Sequence, residues 1–231
     1  MALVVRAFPV RCDRSEVEAF VREIRERAQE TRRFYASFGV RREAWFFQTQ
    51  GLASYIIGVT EVDGSVEEKA EAFATTTDDF ARWFQQRVLE MSGVDEREQP
   101  LGPVSEQIFD STGGGFAPEA TLAVRMYPLT RGADALREFA LELTSREHET
   151  RRFYDSFEAN ETWFVQEIGG TPHAIAVASL KGDVGGNAQR FADSQEPFDA
   201  WFKSRVVHVT GVDPNATPLG PPTTQVFEFR A

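Results

Sequence analysis

Residues 30–35 read Glu-Thr-Arg-Arg-Phe-Tyr, and the same six residues return in the same order at 149–154. The two stretches lie 149 − 30 = 119 positions apart. Six consecutive identities at one offset are hard to reach by chance, so they indicate an internal duplication. The chain is therefore expected to contain two copies of one structural unit.

The match extends over nearly the whole chain when the second copy is allowed to lose one residue. Ahead of the motif, Arg6 and Pro9 return as Arg125 and Pro128. After it, at an offset of 161 − 43 = 118, the shared residues are Glu43/Glu161, Trp45/Trp163, Gln48/Gln166, Trp83/Trp201, Gln107/Gln225 and Phe109/Phe227. A Pro-Leu-Gly-Pro turn occupies both 100–103 and 218–221.

Residues 111–120 have no counterpart in the other copy. They contain three consecutive glycines at 113–115 and Pro118, a composition typical of a flexible connector. The expected organisation is a first module at 1–110, a linker at 111–120 and a second module at 121–231.

Within one copy the residue pattern predicts the order β-α-β-β-α-β. Asp13 and Glu16 form a capping box that begins one long helix ending near Phe38. Pro197, at the position of Asp79 in the first copy, predicts a break before Asp78 in the second helical region. The expected strands are 3–10, a hairpin of 43–49 and 54–62, and 104–110. This order is that of a ferredoxin-like split βαβ module, an α+β fold.

Such a module leaves one sheet face bare, and two copies can bury those faces against each other. With this element order and its repeated Trp-Phe and Gln-x-Phe positions, the chain resembles the dimeric α+β barrel superfamily. It is similar to bacterial members without assigned activity. The resemblance implies two modules packed sheet to sheet as one pseudo-dimeric barrel, fused in a chain that can act as a monomer.

The bulk composition excludes several classes of partner. The formal charge is 25 − 36 = −11, which repels nucleic acid and anionic membranes. Cys12 is the only cysteine, so an internal disulfide and a cysteine-based zinc site are excluded. No signal peptide or membrane span is recognisable at the sequence level, so a cytoplasmic location is expected. Neither a metal nor a cofactor is expected.

Arg6 and Arg125 are the first candidates for ligand binding. Strand alternation places each on one face of its strand, and if that face lines the barrel both point inward. A guanidinium there could grip a carboxylate or phosphate in bidentate fashion. The alternative is an internal ion pair with the duplicated Glu43 or Glu161, and symmetric retention favours that structural role.

Aromatic and amide side chains supply further candidates. Trp45 and Trp163 could wall an apolar ligand site or fill the core. Gln107 and Gln225, with Gln48 and Gln166, could offer neutral hydrogen bonds inside the barrel, although alternation does not fix which strand face points in. Trp83 and Trp201 are expected to pack in the core.

His173 is the one candidate for catalysis. It matches Ser54 if a one-residue insertion is placed between the hairpin strands, and it is not duplicated. It could act as a single general base, whereas a histidine bonded to a nearby loop is the more common role of such a residue.

No complete catalytic constellation is recognisable, so whether the protein is an enzyme stays open. The favoured expectation is a barrel that binds a small, anionic or aromatic metabolite between its two sheets. One alternative is a cofactor-free enzyme of monooxygenase or isomerase type acting on such a metabolite, with His173 as base. The other is a structural or interaction protein.

Overall fold

A computed structural model describes residues 1–113, 116–117 and 119–231 of the chain. Part of the expected linker, residues 114, 115 and 118, lies outside the described residues. The first copy contains β1 Ala2–Val10, α1 Arg14–Glu26, α2 Ala28–Ser37, β2 Val40–Gln50, β3 Ala53–Val62, α3 Val66–Ala74, α4 Asp79–Ser92 and β4 Ser105–Asp110. The second contains β5 Thr121–Pro128, α5 Gly132–Ser145, α6 Glu147–Ser156, β6 Ala159–Ile168, β7 Thr171–Leu180, α7 Val184–Asp193, α8 Pro197–Thr210 and β8 Thr223–Arg230.

The strands form two four-stranded antiparallel sheets, ordered β1-β3-β2-β8 and β4-β6-β7-β5. Each sheet is open and has two edge strands, so the described strands do not close into one barrel. The expectation of a closed barrel is wrong, while the α+β class is confirmed.

Each copy gives its last strand to the sheet of the other copy. β8 pairs with β2, and β4 pairs with β6. The chain therefore divides into two compact units: unit 1 comprises 1–104 and 223–231, and unit 2 comprises 105–222. The linker expected at 111–120 separates the two sequence copies, whereas the compact units divide after 104 and after 222. Residue spacing along the chain does not reveal whether the last strand of a copy joins β2 or β6.

The first helical region is two helices in each copy, not the single long helix expected. α1 ends at Glu26 and α2 begins at Ala28, while α5 and α6 are separated at Arg146. Carbonyl groups freed by each break accept hydrogen bonds from a threonine. Thr31 Oγ1 lies 2.9 Å from the Ile24 carbonyl oxygen, and Thr150 Oγ1 lies 2.9 Å from that of Leu143.

Other local predictions are confirmed. Asp13 and Glu16 form the capping box at the start of α1. Asp78 caps α4, with the expected break before it, and Pro197 is the first residue of α8. The predicted hairpin is present, with β2 beginning three residues earlier than expected, at Val40.

The residue missing from the second copy corresponds to a β-bulge in the first. Val40 pairs with Val62 and Arg42 with Glu61, which leaves Arg41 unpaired in the β2–β3 ladder. The hairpins themselves have equal lengths. Gln48 pairs with Tyr55, and Gln166 pairs with His173. His173 is therefore the counterpart of Tyr55, and the inserted residue that matched it to Ser54 does not exist.

The core of each unit lies between its sheet and its helices and is mainly aromatic. In unit 1, Phe20 is fully buried and its ring packs 5.5 Å from that of Phe84 and 5.8 Å from that of Trp45. In unit 2, Phe139 packs 5.0 Å from Trp163 in the same way.

None of the described helices combines the length and the apolar character that crossing a bilayer demands.

Candidate functional site

The duplicated arginines lie on the helix-covered face of each sheet. Arg6 shares a cavity with Phe20 of α1 and Phe84 of α4, and Arg125 shares one with Phe139 of α5. The opposite face of sheet β1-β3-β2-β8 carries Val5, a fully buried apolar side chain. The arginines therefore point toward the helices of their own unit.

Unit 2 contains a cavity of about 240 Å³ between its sheet and its helices. Its walls are largely aromatic and aliphatic, with Phe153, Phe191 and Phe202 on the helix side. Polar groups reach it from the sheet, chiefly Arg125, Tyr127 and Glu161. An apolar chamber with a few convergent polar groups is the usual form of a small-molecule site.

Arg125 is held by backbone oxygens and not by an acid. Its Nε donates to the Leu219 carbonyl at 2.6 Å and its Nη1 donates to the Val124 carbonyl at 2.7 Å. Among the described residues no carboxylate forms a direct ion pair with Arg125, and the expected pair with Glu161 is not formed. By contrast, Arg42 and Glu228 in unit 1 form an ion pair at 2.7 Å.

The turn that supplies the Leu219 carbonyl is the duplicated Pro-Leu-Gly-Pro motif. Gly220 has φ of +64°, a left-handed conformation that favours glycine. A Cβ at this position would overlap the Tyr127 hydroxyl. Glycine therefore lets the turn lie directly against the cavity wall.

Glu161 has neutral hydrogen-bond donors as partners. The Tyr154 hydroxyl donates to its Oε2 at 2.9 Å, and the indole of Trp163 is a second donor. Burial raises the pKa of Glu161 above its usual range, although both hydrogen bonds oppose the shift. Burial also raises the pKa of Tyr127 to about 12.

Three alanines of β7 line this cavity, and two of them stand where the first copy has larger residues. Strand register places Ala174, Ala176 and Ala178 of β7 opposite Val165, Trp163 and Glu161. The equivalent positions of β3 are Ile56, Gly58 and Thr60. The loss of the isoleucine and threonine side chains enlarges the space in unit 2.

Unit 1 has two smaller spaces in the equivalent place, of about 130 and 160 Å³. They share Arg6, Glu43 and Glu96 in their walls. The Trp45 indole donates to Glu43 Oε1 at 2.6 Å. Arg6 attracts Glu43 and Glu96 electrostatically, but among the described residues neither forms a direct ion pair with it.

His173, Gln107 and Gln225 are not brought to these cavities. His173 is 5% exposed, its Nδ1 lies 2.9 Å from the Thr171 carbonyl oxygen, and it is not among the residues lining the unit 2 cavity. Its neighbour Ala174 does line that cavity, so alternation turns His173 to the other face of the sheet. Gln107 and Gln225 are exposed.

Several residues of these cavities escaped the sequence reasoning. Tyr35, Tyr127, Tyr154 and Glu96 line the cavities but are not among the candidates that the sequence predicts. A position-by-position comparison of the two copies singles out Tyr127 and Glu96. Tyr127 stands where the first copy has Phe8, and Glu96 stands where the second copy has Pro214.

No protein-family model matches the chain, and the search of curated proteins and that of solved structures each found no match. Fold and cavities together describe an α+β protein of two four-stranded sheets, with a cavity lined by sheet and helix residues in each unit.

Proposed function

We propose that unit 2 binds a small aromatic metabolite that carries an anionic group, in the cavity between its sheet and its helices. The anion would meet Arg125, and the ring would lie among the phenylalanines and alanines. This location differs from the site between the two sheets that the sequence suggested.

The observation that carries the proposal is the state of Arg125. Its guanidinium faces an apolar cavity and, among the described residues, has backbone carbonyls as hydrogen-bond acceptors but no acidic counter-ion. Burial lowers the pKa of Arg125, which means that its charged form is incompletely solvated. An incoming carboxylate would supply the missing counter-charge.

Cavity size and wall chemistry support an aromatic ligand. A cavity of about 150 Å³ lined by aliphatic and aromatic side chains is enough to hold benzene. The unit 2 cavity, at about 240 Å³, leaves room for a ring and one substituent. The raised pKa of Glu161 reduces the repulsion that a second anion would otherwise meet.

We further infer that each copy derives from a ferredoxin-like module and that the chain is a fused pseudo-dimer related to the dimeric α+β barrel superfamily, with two open sheets in place of a closed barrel, active as a monomer in the cytoplasm. With each pair of consecutive helices counted as one helical region, the β-α-β-β-α-β order of both copies supports this inference. The proposal assigns no reaction, because His173 lies away from Arg125.

Calorimetric titration of the full chain with benzoate tests the binding proposal. We expect saturable binding that Arg125→Met weakens by about tenfold or more, since a charge-assisted hydrogen bond is lost. The matched substitution in unit 1, Arg6→Met, is expected to leave benzoate binding unchanged. Neutral benzamide, which has the same shape, is expected to bind more weakly than benzoate.

A second variant tests the location independently of charge. Ala176→Leu would fill the cavity and is expected to abolish benzoate binding while Arg125 stays in place. Equal affinity for benzoate and benzamide, or unchanged binding by both variants, would refute the proposal. An absence of binding by benzoate and by larger aryl carboxylates would do the same.

A further inference from the structure

Unit 1 contains two buried polar atoms without partners at the wall of its cavity. Tyr35 is 4% exposed, and its hydroxyl has no hydrogen-bond partner among the described residues. The Oε2 atom of Glu96 is likewise buried and unpartnered. Both residues line the same space. A buried polar atom without a partner costs about 1–3 kcal/mol, so such a pair indicates a place for a hydrogen-bonding group.

The equivalent place in unit 2 has no such gap. Tyr154, the counterpart of Tyr35, donates to Glu161 at 2.9 Å. Pro214 stands at the position of Glu96, so no second acid is present there. The unpartnered atoms are thus specific to unit 1 and are not a general result of the fold.

Titratable groups reach this space from several elements. β1 contributes Arg6, β2 contributes Glu43, and Glu96 follows α4. Tyr35 of α2 is the fourth titratable group, and Asp95 beside Glu96 adds a further negative charge to its surroundings.

One more cation stands at the edge of the space. Lys69 of α3 also lines this space, but the cation that acts electrostatically on both glutamates is Arg6. Glu43 and Glu96 therefore share one guanidinium as a nearby counter-charge.

Aromatic rings complete the wall. Phe34, Phe73 and Phe84 line the space that holds Tyr35, and ring faces attract cations. The space is about 160 Å³, close to the volume of a small alkyl or aryl group.

We propose that the cavity of unit 1 is a second ligand site, which takes a small primary ammonium ion with an apolar body. The ammonium group donates to Glu96 Oε2 and to the Tyr35 hydroxyl oxygen, and the apolar body lies against the phenylalanines. The two units would then select ligands of opposite charge. This site does not depend on the function proposed for unit 2.

Protons compete with the cation for this site. Burial raises the pKa of both Glu43 and Glu96 to about 7, so near neutral pH each carboxyl is partly protonated. An ammonium ion lowers the pKa of a nearby carboxyl and expels its proton. Binding is therefore expected to release protons near pH 7 and to tighten as the pH rises from 6 to 8.

Calorimetric titration of the full chain with n-butylammonium tests the inference, at about 150 mM salt so that surface attraction is screened. We expect measurable proton release when buffers of different ionisation enthalpy are compared. Affinity should rise about tenfold from pH 6 to pH 8, the change expected when one proton is displaced. Neutral n-butanol is the isosteric control and should bind much more weakly.

Two variants locate the site. Glu96→Gln is expected to weaken n-butylammonium binding about tenfold or more and to reduce proton release. The exposed neighbour Glu98 provides the matched control, since Glu98→Gln should change neither. Tyr35→Phe removes an unpartnered hydroxyl, so the protein should stay folded while cation binding weakens severalfold.

Three results would overturn the inference: equal binding of n-butanol, binding without proton release, or wild-type affinity in folded Glu96→Gln protein. Loss of benzoate binding through Arg125→Met has no effect on any of these readouts, so the two proposals fail separately.

Discussion

At the scale of single residues, two equivalent tyrosines have different surroundings. The Tyr154 hydroxyl donates a hydrogen bond to Glu161, whereas the Tyr35 hydroxyl has no hydrogen-bond partner in the part of the chain that the structure describes. Both side chains are almost fully buried, at 5% and 4% exposure. Replacing each tyrosine by phenylalanine therefore compares the loss of a hydrogen bond with the loss of a hydroxyl that forms none.

Tyr154→Phe is expected to lower the free energy of unfolding by about 1–3 kcal/mol, because it leaves the buried Glu161 without one of its donors. Tyr35→Phe is expected to be neutral or slightly stabilising, because it removes a polar atom that has no partner. Urea unfolding of both variants at one pH measures the difference. Equal losses in the two variants would contradict this account of the sites.

At the scale of elements, a threonine accompanies the break in the first helical region of each copy. Thr31 is buried and its hydroxyl donates to the carbonyl oxygens of Ile24 and Arg27, at 2.9 and 3.1 Å. The Ile24 carbonyl lies in the last turn of α1, and helix ends leave carbonyl groups without intrahelical partners. The hydroxyl therefore stabilises the break.

Thr31→Val keeps the side-chain shape and removes the donor, so we expect a loss of about 1–3 kcal/mol in the free energy of unfolding. Thr144→Val is the control, because Thr144 is exposed and its hydroxyl only supplements the helix through Ala140. Its effect should stay within about 0.5 kcal/mol. Chemical denaturation compares the two, and similar effects would argue against a special role for Thr31.

At the scale of the whole molecule, the exchange of last strands makes each unit depend on the other sequence copy. Phe227 of β8 is buried in unit 1, with its ring 4.6 Å from Trp45. Phe109 of β4 packs 4.8 Å from Trp163 in unit 2. A substitution in the last strand of one copy should therefore destabilise the unit that is built mainly from the other copy.

Phe227→Ala is expected to cost about 3–5 kcal/mol and to loosen unit 1, since a large core side chain is removed. Amide hydrogen exchange should rise in β2, while β6 keeps its protection. Phe109→Ala is the matched variant and should produce the reverse pattern. Faster exchange of β6 in the Phe227→Ala protein would contradict the strand exchange.

The sequence by itself determined the duplication, the α+β class and most element positions. These properties are local: alternation, the Asp13–Glu16 capping box and the Pro197 position depend on residues close in the chain. The break at Arg27 escaped prediction because the amphipathic pattern continues through it, and the side chain that stabilises the break lies four residues later.

Tertiary structure alone decided the strand exchange and the composition of the cavities. Pairing of β8 with β2 joins residues far apart in the chain, so no local pattern encodes it. Arg6 and Arg125 were found from the sequence, but their direction was not, because both faces of each sheet are apolar and alternation does not say which one the helices cover. The surroundings of Tyr35, Glu96 and Arg125 depend on the same packing, and they give the two cavities different charged groups.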